Sequence, residues 1–162
     1  MESPTELIDP AIPVTAGIAT ASRPFRDGKG QFLKWSHNGN PDRVLREWDF
    51  LTAMADSGVT PRPIGCGADF ILMEDLGDPT PPPLWQPIAE RGVDVLNALH
   101  AAGIRHNDLR PQNLIYLDGV LYCFDFGRAT WMHEPVGGYR ENEDVILMAD
   151  SLLKITRGEV WQ

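Results

Sequence analysis

Three residues have side chains and spacing suited to one kind of chemistry: Asp108, Asn113 and Asp125. Asp108 and Asn113 lie in the run His106-Asn107-Asp108-Leu109-Arg110-Pro111-Gln112-Asn113, and Asp125 lies in Phe124-Asp125-Phe126-Gly127. An Asp followed by an Asn at this distance reads, taken alone, as a capped turn. The combination is more specific. An apolar helix ends near Gly103, a loop then carries Asp108 and Asn113, a hairpin follows, and Asp125 stands at its end before a glycine. That order converges a carboxylate, a carboxamide and a second carboxylate on one spot. Such oxygen donors suit magnesium, a hard cation that shares its ligands with phosphates.

These residues need a scaffold, and the chain proposes one. Residues 11–15, 19–25 and 31–35 read as short strands of an antiparallel meander, with a turn over 26–30. Asn40 and Pro41 suit the start of a helix. Val44, Leu45, Trp48, Leu51, Met54 and Ala55 then recur at helical spacing, and Gly58 closes the segment. Residues 64–66 and 70–74 read as a hairpin about Gly67. The stretch 77–83 holds four prolines in five positions and reads as a stiff linker. Ile88, Val95, Leu96 and Leu99 mark a second helix. Strands near 114–116 and 121–124 flank the turn Asp118-Gly119. A last helix over 143–156 carries Val145, Met148, Ala149, Leu152 and Leu153 on one face. The expectation is an α+β fold with a strand-rich first half and a mainly helical second half. Its boundaries fall at 1–77, a linker over 78–83, and 84–162.

Composition narrows the partners. The chain has 162 residues, 43% of them hydrophobic, enough for one domain with a real core. The net charge of −9 argues against a general nucleic-acid-binding surface, which needs cations to displace counterions. Only Lys29, Lys34 and Lys154 are lysines, so chemistry that needs an amine has three candidates. Two cysteines, Cys66 and Cys123, do not make a disulfide framework. No secretory signal and no membrane-spanning run is visible, so a cytoplasmic setting is expected.

On these residues the chain resembles the protein-kinase-like superfamily, whose catalytic loop reads H-R-D-x-x-x-x-N and whose metal motif reads D-F-G. The resemblance implies a minimal bilobal fold that uses ATP and Mg2+. It implies that Asp108 is the catalytic base, that Asn113 and Asp125 hold magnesium, and that Arg110 faces the transferred phosphoryl. It makes Lys34 the phosphate-pairing lysine and Glu47 its partner, with Asp49 a weaker rival. Residues 71–77 resemble a hinge, with adenine meeting main-chain groups near Glu74 and Leu76 and with Met73 behind it. Asp144 would tie down the catalytic-loop backbone, and His106 would support the loop rather than transfer protons.

The chain departs from typical protein kinases in three ways. The phosphate-covering loop keeps only Gly17, in Val14-Thr15-Ala16-Gly17-Ile18. The segment between Asp125 and Asp144 is short and has no Ala-Pro-Glu motif. Few residues follow it. Such features resemble the RIO kinases and the kinase of the KEOPS complex. His106-Asn107-Asp108-Leu109 is also similar to the H-N-D-L of choline and aminoglycoside phosphotransferases. Little chain remains to enclose a small acceptor, so a protein substrate or partner protein fits better, with a homodimer as a further expectation. The expected activity is phosphoryl transfer to a Ser or Thr hydroxyl, or ATP hydrolysis as a switch. A small-molecule kinase and a non-catalytic binding module are the alternatives.

Overall fold

A computed structural model describes residues 14–18, 30–35, 40–76, 85–135 and 143–158, with backbone alone at 14–18 and 85–86. The expected turn over 26–30 and the proline linker fall almost wholly outside these residues.

β1 (Val14–Ile18), β2 (Gly30–Trp35), β3 (Pro63–Cys66) and β4 (Phe70–Asp75) form one sheet in the order β1-β2-β4-β3. Side chains alternate across a strand. In β2, Phe32 therefore joins the main core, while Leu33 packs with Phe70 and Leu72 on the other face. β2 and β4 are antiparallel, as are β3 and β4. At the Gly67 turn a Cβ would lie 2.1 Å from the Phe70 ring, which leaves room only for glycine. The expected meander needs one correction. β1 runs parallel to β2, with Gly17 across from Lys34. Parallel neighbours cannot be joined by a tight hairpin, so these two strands are sheet partners but not consecutive arms of a meander.

α1 (Pro41–Ala53) begins as its sequence suggests: the Asn40 side chain accepts from the Asp42 N–H at 3.0 Å, and Pro41 opens the first turn. It buries Val44, Phe50 and Leu51, and Leu45 of the anticipated stripe stays exposed. α2 (Trp85–Ala101) buries Ile88, Val95 and Leu99 and is followed by a turn at Gly103, whose φ is 71°. Then come β5 (Ile104–Arg105), a 3-10 turn (Pro111–Asn113), β6 (Leu114–Leu117), β7 (Val120–Cys123) and β8 (Thr130–Trp131). β6 and β7 form the predicted hairpin. Its turn residues Asp118 and Gly119 both have positive φ, 47° and 85°, as a type I′ turn requires.

α3 (Glu143–Thr156) closes the described chain and packs on α2, where Gly92 lets Leu152 and Met148 approach closely. Its buried face is Met148, Ser151, Leu152 and Ile155. That differs from the expected stripe: Val145, Ala149 and Leu153 point outward. The helix turns its i, i+3, i+4, i+7 row toward α2 and the loop at Leu109, and apolarity alone does not say which of two adjacent rows meets a neighbour. The architecture is α+β, with one core that runs from Phe32, Phe50 and Met73 through Ile88 and Leu109 to Phe126 and Met148. Among the described residues no helix is long and apolar enough to cross a membrane.

Candidate active site

Lys34 stands on the core-side face of β2, and Glu47 stands on α1 one turn before the buried Phe50. The Lys34 Nζ donates to Glu47 Oε1 at 2.6 Å and to Asp125 Oδ1 at 3.1 Å. Lys34 is only 9% exposed. Burial pulls its pKa down, yet the carboxylates of Glu47 and Asp125 outweigh burial and hold it above the ordinary lysine value of 10.5. The ammonium is thus charged and fixed between two acids from opposite halves of the chain. Asp49, the rival to Glu47, is exposed.

The loop from His106 to Asn113 is held from several sides. The Asp144 carboxylate, in the first turn of α3, accepts from the N–H of His106 at 2.7 Å and of Asn107 at 2.8 Å. Ser151 donates to the Leu109 carbonyl at 2.6 Å. The buried His106 ring accepts the Asp108 N–H at Nδ1 (3.2 Å), so the proton sits on Nε2, which donates to the Phe124 carbonyl at 2.9 Å. Burial lowers the His106 pKa despite the Phe124 carbonyl and the nearby acids, which keeps the ring neutral. It braces the loop, as expected.

Asn107 has φ 65°, a left-handed conformation that Asn tolerates better than most residues. Its Nδ2 donates to the Arg128 carbonyl and to Thr130 Oγ1, both at 3.0 Å. Sequence reading gave this asparagine only a family resemblance; here it straps the loop to the segment after Asp125. Ser151, read as part of a helix, was also missed. So were Arg46 and Glu134: the Arg46 guanidinium donates to Glu134 at 2.7 Å and 2.9 Å. The Trp131 N–H and then Arg46 hold the Glu134 carboxyl below the usual carboxylate range.

Asp108 faces two partners. Its Oδ2 accepts from Asn113 Nδ2 at 2.9 Å, and its Oδ1 lies 3.3 Å from Arg110 Nε. Asn113 Nδ2 also donates to the Asp108 carbonyl. With its nitrogen committed in this way, Asn113 has its amide oxygen left for a cation. Asp125, at φ 61°, takes Lys34 and the Gly127 N–H on Oδ1, which leaves Oδ2 open among the described residues. Two such hard oxygens fit magnesium, which keeps several waters and shares phosphate oxygens. Among the described residues no group of three or more His, Cys, Asp or Glu side chains could hold a metal by itself.

At the expected hinge, part of the Glu74 main chain is already engaged. The Glu74 N–H already donates to the Arg62 carbonyl at 2.9 Å, and its carboxylate accepts from the Arg62 N–H and Nε. The Glu74 N–H is therefore engaged within the chain. Met73 and Leu76 are buried, as a pocket wall requires. Asp78, which by its place after the hinge could reach a ribose hydroxyl or simply sit in a turn, lies outside the described residues.

No family model matches the chain. It is 28% identical over 132 residues to the RIO-type serine/threonine-protein kinase Rio1 of Haloferax volcanii, which covers 70% of this chain and 43% of that protein. It is 31% identical over 99 residues to a probable serine/threonine-protein kinase BUD32 homolog of Archaeoglobus fulgidus, covering 59% of this chain and 51% of the other. Over 65 residues it is 37% identical to the serine/threonine-protein kinase PknE of Mycobacterium tuberculosis, 12% of that protein. The chain therefore spans about half the length of the first two relatives. These likenesses support the protein-kinase-like superfamily, and the α+β arrangement agrees with a minimal kinase-like bilobal fold.

Proposed function

We propose that this chain is an ATP- and magnesium-dependent phosphotransferase, a minimal atypical Ser/Thr protein kinase acting on a protein hydroxyl. The observation that carries this reading is the meeting of Lys34, Glu47 and Asp125 within 3.1 Å, from positions 13 and 91 residues apart. A surface ion pair would not need so buried a setting. Lys34 aims a fixed positive charge at nucleotide phosphates, and Glu47 keeps it there. Gly17, across from Lys34 in the sheet, removes a side chain where a phosphate would approach. The Glu74 carbonyl and the main chain at Leu76 suit adenine.

Asn113 and Asp125 would hold the metal, which supplies charge neutralisation to the phosphoryl oxygens when bound. Asp108 orients the acceptor hydroxyl and takes its proton, exchanging the Arg110 contact for the substrate. Arg110, half exposed, is then free to turn toward the transferred group. Catalysis of this kind is positioning plus electrostatics.

A protein acceptor is favoured by the architecture. Among the described residues, α2 is the one helix between the hinge and the catalytic loop. It spends Ile88, Val95 and Leu99 on the core. The test is incubation with γ-labelled ATP and magnesium, with a panel of Ser/Thr peptides and proteins beside choline, aminoglycosides and sugars. Label on protein is expected. Label on a small alcohol alone would replace the protein-kinase reading with a small-molecule kinase. ATP consumed with no acceptor labelled would replace it with an ATPase switch.

A further inference from the structure

The residue before Glu47 makes a second connection to the other half of the chain. Arg46 Nη2 donates to both carboxylate oxygens of Glu134, at 2.7 Å and 2.9 Å, and to the Ala129 carbonyl at 3.4 Å. Its guanidinium also lies 5.1 Å from the centre of the Phe50 ring. Glu134 in turn accepts the Trp131 N–H at 2.9 Å, so one carboxylate ties a turn of the chain to α1. Beneath the ion pair, Phe50 packs on Trp131 at 4.6 Å and on Phe126 at 6.4 Å. The Phe126 N–H donates to Glu47 Oε1 at 3.3 Å. The segment from Phe126 to Glu134 is itself fixed to the catalytic loop through Asn107 and through Arg105, which donates to the carbonyls of Trp131 and Met132.

We infer that Arg46 and Glu134 form a built-in latch that holds α1 where Glu47 reaches Lys34, so that the phosphate clamp is assembled without a covalent modification. The site has the chemistry of an anion receptor, a guanidinium beside a backbone N–H, and the chain fills it with its own carboxylate. Arg46 and Glu134 are positioning residues: neither touches Lys34, and each acts through α1 or the segment packed on it. Both are partly exposed, so they add little to global stability. That separates positioning from folding.

The inference rests on the phosphotransferase reading for its catalytic consequence, and it has a structural readout that does not. Arg46→Ala, Glu134→Ala and the double variant are compared with the wild-type chain. Hydrogen exchange of the α1 amides and of the Phe126 amide is expected to quicken in each variant while the thermal midpoint stays close to wild type. Turnover is expected to fall about 10- to 100-fold through kcat rather than KM, as for a displaced positioning group. The double variant should lose no more than either single one, because both remove one device. Wild-type exchange on α1 in the single variants would overturn the latch, whether or not the chain proves active. Unchanged kcat in an active chain, or losses that multiply in the double variant, would overturn it too. If the wild-type chain shows no turnover, that counts against the function alone, and the exchange data still decide the latch.

Discussion

His106 shows how one residue ties chemistry to stability. Its ring bridges the Asp108 N–H and the Phe124 carbonyl and can do so only when neutral. Burial lowers its pKa below 6.5 in the folded chain. The unfolded chain therefore binds the proton first as pH falls. The contribution of His106 is complete above about pH 6.5 and is lost toward the folded pKa, with a slope of up to about 1.4 kcal/mol per pH unit. Urea unfolding of the wild-type chain at pH about 7.5 and about 5.5, beside His106→Gln, checks this: the variant should show a flatter dependence on pH. Lys34 has the opposite sign. Its raised pKa makes its ion-pair contribution complete through neutral pH and lost only above the ordinary lysine range. Asp108, Asn113 and Asp125, the residues proposed for catalysis and metal binding, stand out at this scale because their types are demanding. Few side chains other than an Asp, an Asn and a second Asp serve a magnesium phosphate site. Arg46 and Glu134 were not legible: a basic residue on a helix and an acid in a loop are ordinary surface choices, and only the folded chain brings them together.

At the scale of elements, each helix holds one part of the site. α1 carries Glu47, α2 ends at the strand that leads into the loop from His106 to Asn113, and α3 presents Asp144 to two N–H groups of that loop. That last contact is also the favourable place for an acid on a helix dipole. Asp144→Ala would leave the N–H groups of His106 and Asn107 without their acceptor. A loss of about 1–3 kcal/mol per unsatisfied buried group is expected, seen as a lower denaturant midpoint, together with reduced turnover as the loop loosens. The elements themselves were readable from periodicity, capping and turn residues such as Asn40 and Asp118-Gly119. What could not be read was their pairing. The parallel alignment of β1 with β2 is set by the sheet as a whole, and the turning of Met148, Ser151, Leu152 and Ile155 inward depends on the groove beside α2 and Gly92. Local pattern has no access to either.

For the whole molecule, the polar and aromatic connections described between the first and second halves of the chain gather in one place. The Lys34–Asp125 and Arg46–Glu134 pairs, the Phe126 N–H to Glu47 and the Phe50–Phe126–Trp131 stack all converge on the same few residues of α1 and β2. The Cys123 N–H also donates to the Val59 carbonyl, and the main core continues across the two halves. A site assembled from both halves in this way holds its charged groups in place before any ligand arrives, which is the condition that electrostatic catalysis needs.

The central claim is that this assembly moves phosphoryl groups. The direct test is ATP turnover in the presence of magnesium by the wild-type chain, Asp108→Ala and Asp125→Ala, with circular dichroism to show that all three are folded. The wild-type chain should consume ATP, and each variant should be slower by about 10²- to 10⁴-fold. Equal turnover in all three chains, or none in the wild-type chain with magnesium and acceptor present, would contradict it.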